Sequence, residues 1–118
     1  MGEEMKTYTF HHDDGHGWLE VPFADLKQIG LSLSDISRYS YTHLSKAYVP
    51  LVFLEEDLDV MIFMLAAKRA GIKVAFSHRE VPGSSVIRTY AGNVSGKKFD
   101  STELRMLAQA CEIEGVFA

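Results

Sequence analysis

Between Ala47 and Phe76 the apolar and polar positions fall into four blocks. Tyr48 to Leu54 is apolar on both alternating faces, which predicts an interior strand covered on each side. Pro50 has no N–H to give to a ladder, so it belongs at an edge position or a bulge. Glu55, Glu56, Asp57 and Asp59 follow where a helix should begin. Asp57 is the expected N-cap, and the other acids suit the positive end of the helix dipole. Leu58, Met61, Ile62, Leu65 and Ala66 then recur at helical spacing, Lys68 and Arg69 occupy the last turn, and Gly71 is the terminator. Ile72, Val74 and Phe76 alternate with Lys73, Ala75 and Ser77, a strand with one wet face.

Val60, Phe63, Met64 and Ala67 cover much of the rest of that helix. A domain this small has room for one core, and its helices usually keep a wet side. Val60, Phe63 and Met64 are therefore candidates for a partner interface, with a homodimer as the expected assembly. The alternative is a helix covered on all sides by its own chain.

Elsewhere the pattern is shorter in range. Lys6–His12 alternates as a strand, Asp14-Gly15 permits a tight reversal, and Trp18–Val21 returns as a second strand. Pro22 suits the first turn of a helix buried through Phe23, Leu26 and Ile29 and ended by Gly30. Ser32–Ser37 reads as a turn, Ile36–Tyr41 as a strand with Tyr39 and Tyr41 on one face, and Thr42–Lys46 as a loop. Ser85–Tyr90 is the expected antiparallel partner of the strand at Ile72. The last helix is announced by Asp100 and Glu103, a capping box with Asp in the Ser/Thr position, and by a stripe of Leu104, Leu107, Ala108 and Cys111. The order is ββα-ββαββ-α: a single α+β domain over residues 1–118, with a mixed or mainly antiparallel sheet, about three helices, and Met1–Met5 expected to be disordered.

Composition narrows the function classes. At 118 residues the chain can bury a core without staples. No apolar run is long enough to span a membrane, and Met1–Lys6 is too polar for a signal peptide, so no membrane partner is expected. The single cysteine, Cys111, excludes an internal disulfide and fits a reducing cytoplasm. The Asn93-Val94-Ser95 sequon is then an accident of sequence. A net charge of −4 argues against nonspecific nucleic-acid binding as the main task. Charge is uneven, however: Met1–Val60 holds four Lys/Arg against eleven Asp/Glu, and Met61–Ala118 eight against five.

Three candidate chemistries follow. His12, Asp14 and His16, in a run with His11, Asp13 and Glu20 nearby, have the side chains of a divalent-metal site and, through it, of a metal-dependent hydrolase. No metal-ligand spacing motif accompanies them, and His11 and His12 point to opposite faces of a strand, so the leading expectation is no cofactor. Lys73, Arg79, Arg88, Lys97 and Lys98, with Tyr90 among them, are candidates for a polyanion or nucleic-acid surface. Ser77-His78-Arg79-Glu80, Ser84-Ser85 and Cys111 lack the setting of a nucleophile, and no catalytic residue is assigned.

Three segments together, Gly15-His16-Gly17-Trp18-Leu19-Glu20-Val21-Pro22, Ile36-Ser37-Arg38-Tyr39-Ser40-Tyr41 and Phe53-Leu54-Glu55-Glu56-Asp57, resemble a group of short uncharacterised bacterial proteins often associated with plasmids, phages or other mobile elements. The resemblance covers about the first half of the chain. It implies a shared fold and no activity, cofactor or catalytic residue; Pro50 and Leu58 depart from the pattern. The expected function is a non-enzymatic cytoplasmic interaction protein that binds itself or another protein.

Overall fold

The structure, a computed structural model, describes residues 4–116. The chain forms β1 (Glu4–His12), β2 (Gly17–Pro22), α1 (Phe23–Gln28), β3 (Tyr41–Leu44), β4 (Pro50–Glu55), α2 (Asp59–Arg69), β5 (Ile72–Glu80), β6 (Ala91–Gly92) and α3 (Ser101–Glu114). One six-stranded sheet runs β5-β1-β2-β4-β3-β6. Among the named strands only β1 and β5 pair in parallel, so the sheet is mixed and the described residues form one α+β domain. The β4–α2–β5 passage carries the chain over β2 and β1 to the far edge. A parallel neighbour for β1 requires such a crossover, because a tight hairpin joins only antiparallel strands.

Side-chain alternation separates two faces. On one, Tyr8, Phe10, Leu19, Val21, Val52 and Leu54 meet Leu26 of α1 and Val60, Ile62 and Phe63 of α2 in the main core. Phe63 stands edge-on to Tyr8, with ring centroids 5.4 Å apart. On the other, Trp18 and Phe53 are covered by Ile87, with Tyr41, Leu51 and Tyr90 around them. Burial of apolar surface drives both layers, but the second is far thinner.

Several local expectations change. Ile36–Ser40 does not extend into a strand: Ser37 and Ser40 turn inward to bind Asp59, and β3 begins at Tyr41. Residues 42–44, expected in a loop, therefore lie in that strand, and a turn at 45–49 leads into β4. Tyr48 in this turn has φ of +60°, a conformation more natural to glycine. Pro50 opens β4, where its missing N–H is tolerated. Ser85–Tyr90 is not a strand either; residues 86–89 form a 3-10 turn, with the Ser85 hydroxyl accepting from the Ile87 N–H.

The start of α2 is bound by Glu55, not Asp57. Glu55 Oε1 accepts from the Leu58 N–H at 3.0 Å and from the Asp57 N–H. The capping box of α3 is present, with Asp100 Oδ1 accepting from the Glu103 N–H at 2.8 Å. Its expected stripe is shallower: Cys111 is buried, Leu107 is half-buried, and Leu104 and Ala108 are exposed. The expectation of disorder at 1–5 falls partly on residues 1–3, outside the described ones; Glu4 and Met5 open β1. Among the described residues no helix is long and apolar enough to cross a membrane.

Candidate functional site

The histidine- and aspartate-rich hairpin between β1 and β2 is a clasp. Asp13 Oδ1 accepts from the backbone N–H groups of Gly15 and His16, which makes the turn. Its other oxygen accepts from the Ser85 N–H and from Arg88 Nε at 2.6 Å, and Arg88 Nη2 completes a bidentate pair. Asp14 exchanges bonds with Gly83, and the His12 carbonyl accepts from the Val81 N–H. These bonds strap residues 81–90 across the open face of the sheet. The Arg88 guanidinium and the bonded N–H groups hold the Asp13 carboxyl well below the usual carboxylate range.

This use of the hairpin disperses the three residues proposed as metal ligands. Asp14 is taken by Gly83. His12 stacks on Phe10, and its Nε2 lies 2.9 Å from His78 Nδ1. His16 turns the other way, toward Glu56 at 3.5 Å. Among the described residues no group of three or more His, Cys, Asp or Glu side chains is placed to hold a metal ion. His11, on the face opposite His12, pairs with Glu20 at 2.9 Å.

The proposed interface on α2 is likewise displaced. Val60 and Phe63 are inside the main core, Phe63 at 1% exposure, and Met64 is half-buried against it. The helix is apolar almost all round because the sheet and α3 between them cover most of it. The basic residues are also apart. Lys73 and Arg79 lie on β5, at one edge of the sheet, whereas Lys97 and Lys98 follow β6, at the other. Arg88 is committed to Asp13, and Lys97 lies over the Phe99 ring and 3.5 Å from Glu103. Asn93 of the sequon is buried, its amide donating to the carbonyls of Leu33 and Ser37.

What the fold does assemble is a pocket of about 320 Å³ lined by His16, Trp18, Tyr39, Tyr41, Glu55, Asp57 and Arg88. Register explains it. Trp18 is the cross-strand partner of Glu55, and Tyr41 sits one strand further, opposite Phe53. Tyr39 stands at the mouth, 68% exposed, because the inward turn of Ser37 and Ser40 pushes it out. The rings of Trp18 and Tyr41 meet edge-on at 6.2 Å, and the guanidinium of Arg88 lies over Trp18 at 5.2 Å. Burial raises the Glu55 carboxyl above its ordinary range, partly offset by the N–H groups of Leu58 and Asp57.

Three separate segments each supply two residues to this pocket: His16 and Trp18, Tyr39 and Tyr41, Glu55 and Asp57. No sequence spacing places them together, since the segments are about twenty residues apart. Tyr39 and Tyr41, expected on one face of a strand, do share the pocket, but Tyr39 reaches it from the turn before β3 and not by strand alternation. Compared with known proteins, the chain matches no family model, no curated protein and no solved structure.

Proposed function

We propose that the protein is a non-enzymatic cytoplasmic interaction module whose pocket receives a basic side chain, lysine or arginine, of a partner protein. The observation that carries this reading is the convergence of Trp18, Tyr39 and Tyr41 with Glu55 and Asp57 in one cleft. Aromatic faces attract cations, and the two carboxylates beside them add charge complementarity. Arg88 already lies over the indole, so the geometry of a cation against this ring is built in. A guest would enter beside Tyr39, between its ring and the two acids. The lone buried thiol of Cys111 suits a reducing compartment.

Trp18 is the only tryptophan, so its fluorescence reports on the pocket directly. Titration with short peptides containing lysine, trimethyllysine or arginine, at low salt, should change that emission, whereas acidic peptides should not. Tyr39→Ala should weaken binding about tenfold, the scale of one cation–π contact. Glu55→Gln should weaken it as well. Because Glu55 is raised, acidification should begin to weaken binding above the pH at which an ordinary carboxylate protonates. Absence of any spectral or calorimetric response to millimolar peptide would dismiss the reading, as would binding indifferent to Tyr39→Ala.

A second reading is self-association through α3. Met106 and Ile113, seven residues apart on one side of that helix, are 65% and 76% exposed. Sedimentation of the wild type and Met106→Glu tests it; a monomer at high concentration would exclude it.

A further inference from the structure

The two edges of the sheet are unequal. At one edge β6 has two residues. At the other β5 has nine, paired with β1 through nine successive partners without a bulge. Its second side has no strand beside it among the described residues. β5 contains neither proline nor glycine. A long regular edge of this kind presents a row of backbone donors and acceptors ready to take another strand.

Side chains indicate which strand. Alternation puts Lys73, Ala75, Ser77 and Arg79 on the face away from the helices, and Val74, Phe76 and His78 on the helix face. Lys73 and Arg79 are exposed, and neither makes an ion pair or side-chain hydrogen bond among the described residues. They stand about 20 Å apart, six residues along the same face, with two small side chains between them. Val74 and Phe76 are only half-buried, which leaves apolar surface on the other face. A second copy of β5 is a poor guest. Antiparallel pairing centred on Phe76 sets Lys73 opposite Arg79 twice, and in-register parallel pairing sets each cation beside its equal; like charges across a ladder destabilise it.

We infer that the free edge of β5 binds an extended acidic segment of a partner protein as a seventh strand, acidic side chains facing Lys73 and Arg79 and apolar ones facing Val74 and Phe76. Main-chain hydrogen bonds hold the guest, and the two cations select it. The site shares no residue with the aromatic pocket, so either can fail without the other.

The test uses the full chain and two synthetic nine-residue peptides, one alternating Glu with Val and one alternating Lys with Val. Calorimetry should detect the acidic peptide and not the basic one, and hydrogen exchange should slow at alternate backbone amides of β5. The double variant Lys73→Glu/Arg79→Glu, altered only at exposed positions, should bind the acidic peptide at least about tenfold more weakly and acquire affinity for the basic one. Equal affinity of variant and wild type for the acidic peptide would overturn the inference. So would protection elsewhere than β5, or binding of single-stranded DNA in place of the acidic peptide that the same variant abolishes.

Discussion

On the helix-bearing side of the sheet Asp59 lies at the start of α2, fully buried, and accepts from the Ser37 N–H at 2.9 Å, the Ser37 hydroxyl at 2.7 Å and the Ser40 hydroxyl. On the other side Asp13 lies with its side chain enclosed and accepts from Arg88 and three backbone N–H groups. Both aspartates tie down an irregular segment, 36–40 to the start of α2 in one case and 81–90 to the β1–β2 hairpin in the other. They respond oppositely to ionisation. Around Asp59 all the partners are neutral, and burial outweighs them, raising its pKa. At Asp13 a guanidinium is present, and the pKa falls. A neutral donor set holds a buried carboxylate in place; a cation also favours its charge.

The comparison is broken most severely from the core side. Phe63→Ala should cost about 3–5 kcal/mol, because a fully covered ring leaves a cavity that α2 cannot close. Chemical denaturation measures it. A smaller loss would mean that α2 sits less tightly on the sheet than Tyr8 and Phe63 indicate.

Asp59→Ala comes next, at about 2–3 kcal/mol, since it strands the Ser37 N–H and two hydroxyls without an acceptor. Its pH dependence sharpens the contrast. A carboxyl raised on folding contributes stability that is complete below its ordinary value and lost as pH rises through the folded one. Wild type should therefore lose stability relative to Asp59→Asn as pH rises above about 4. Asp13 behaves inversely: its contribution is present above its ordinary value of 3.8 and fades as pH falls toward the lowered folded one. The gap between wild type and Asp13→Asn should thus close on acidification. At neutral pH that variant should speed amide exchange at Ser85 and Arg88 while leaving α2 unchanged. Uniform acceleration across both faces would show that the clasp and core form one cooperative unit.

The smallest expected effect lies away from both ties. Tyr48→Gly should raise stability by about 0.5–1 kcal/mol, the relief of a left-handed tyrosine less the greater freedom of glycine in the unfolded chain. Thermal melts of the two proteins read the difference.

Regular periodicity was legible in the chain itself. Leu58, Ile62 and Leu65 at helical spacing, and Ile72, Val74 and Phe76 in alternation, define α2 and β5 whatever surrounds them, because amphipathic burial repeats along the element. Gly71 and the Asp100–Glu103 box likewise act within a few residues. The candidate site was only partly legible: acids, aromatics and histidines were visible as groups, but not the partners each would find. Ser37, Ser40 and Asp59 look like surface residues until the fold encloses them, and Asp13 looks like one more acid of a polar turn until Arg88, seventy-five residues on, reaches it.

The sequence by itself determined that the chain makes an α+β domain around one apolar helix, since short-range patterns of burial, capping and chain reversal suffice for that. Tertiary structure alone decided that Val60 and Phe63 face inward, that Asp13 and Asp59 are ties, that three distant segments line one pocket, and that β5 lies at the edge. The reason is physical: a side chain's role depends on which polar groups compensate its burial, and those come from segments whose approach is set only when the sheet is assembled.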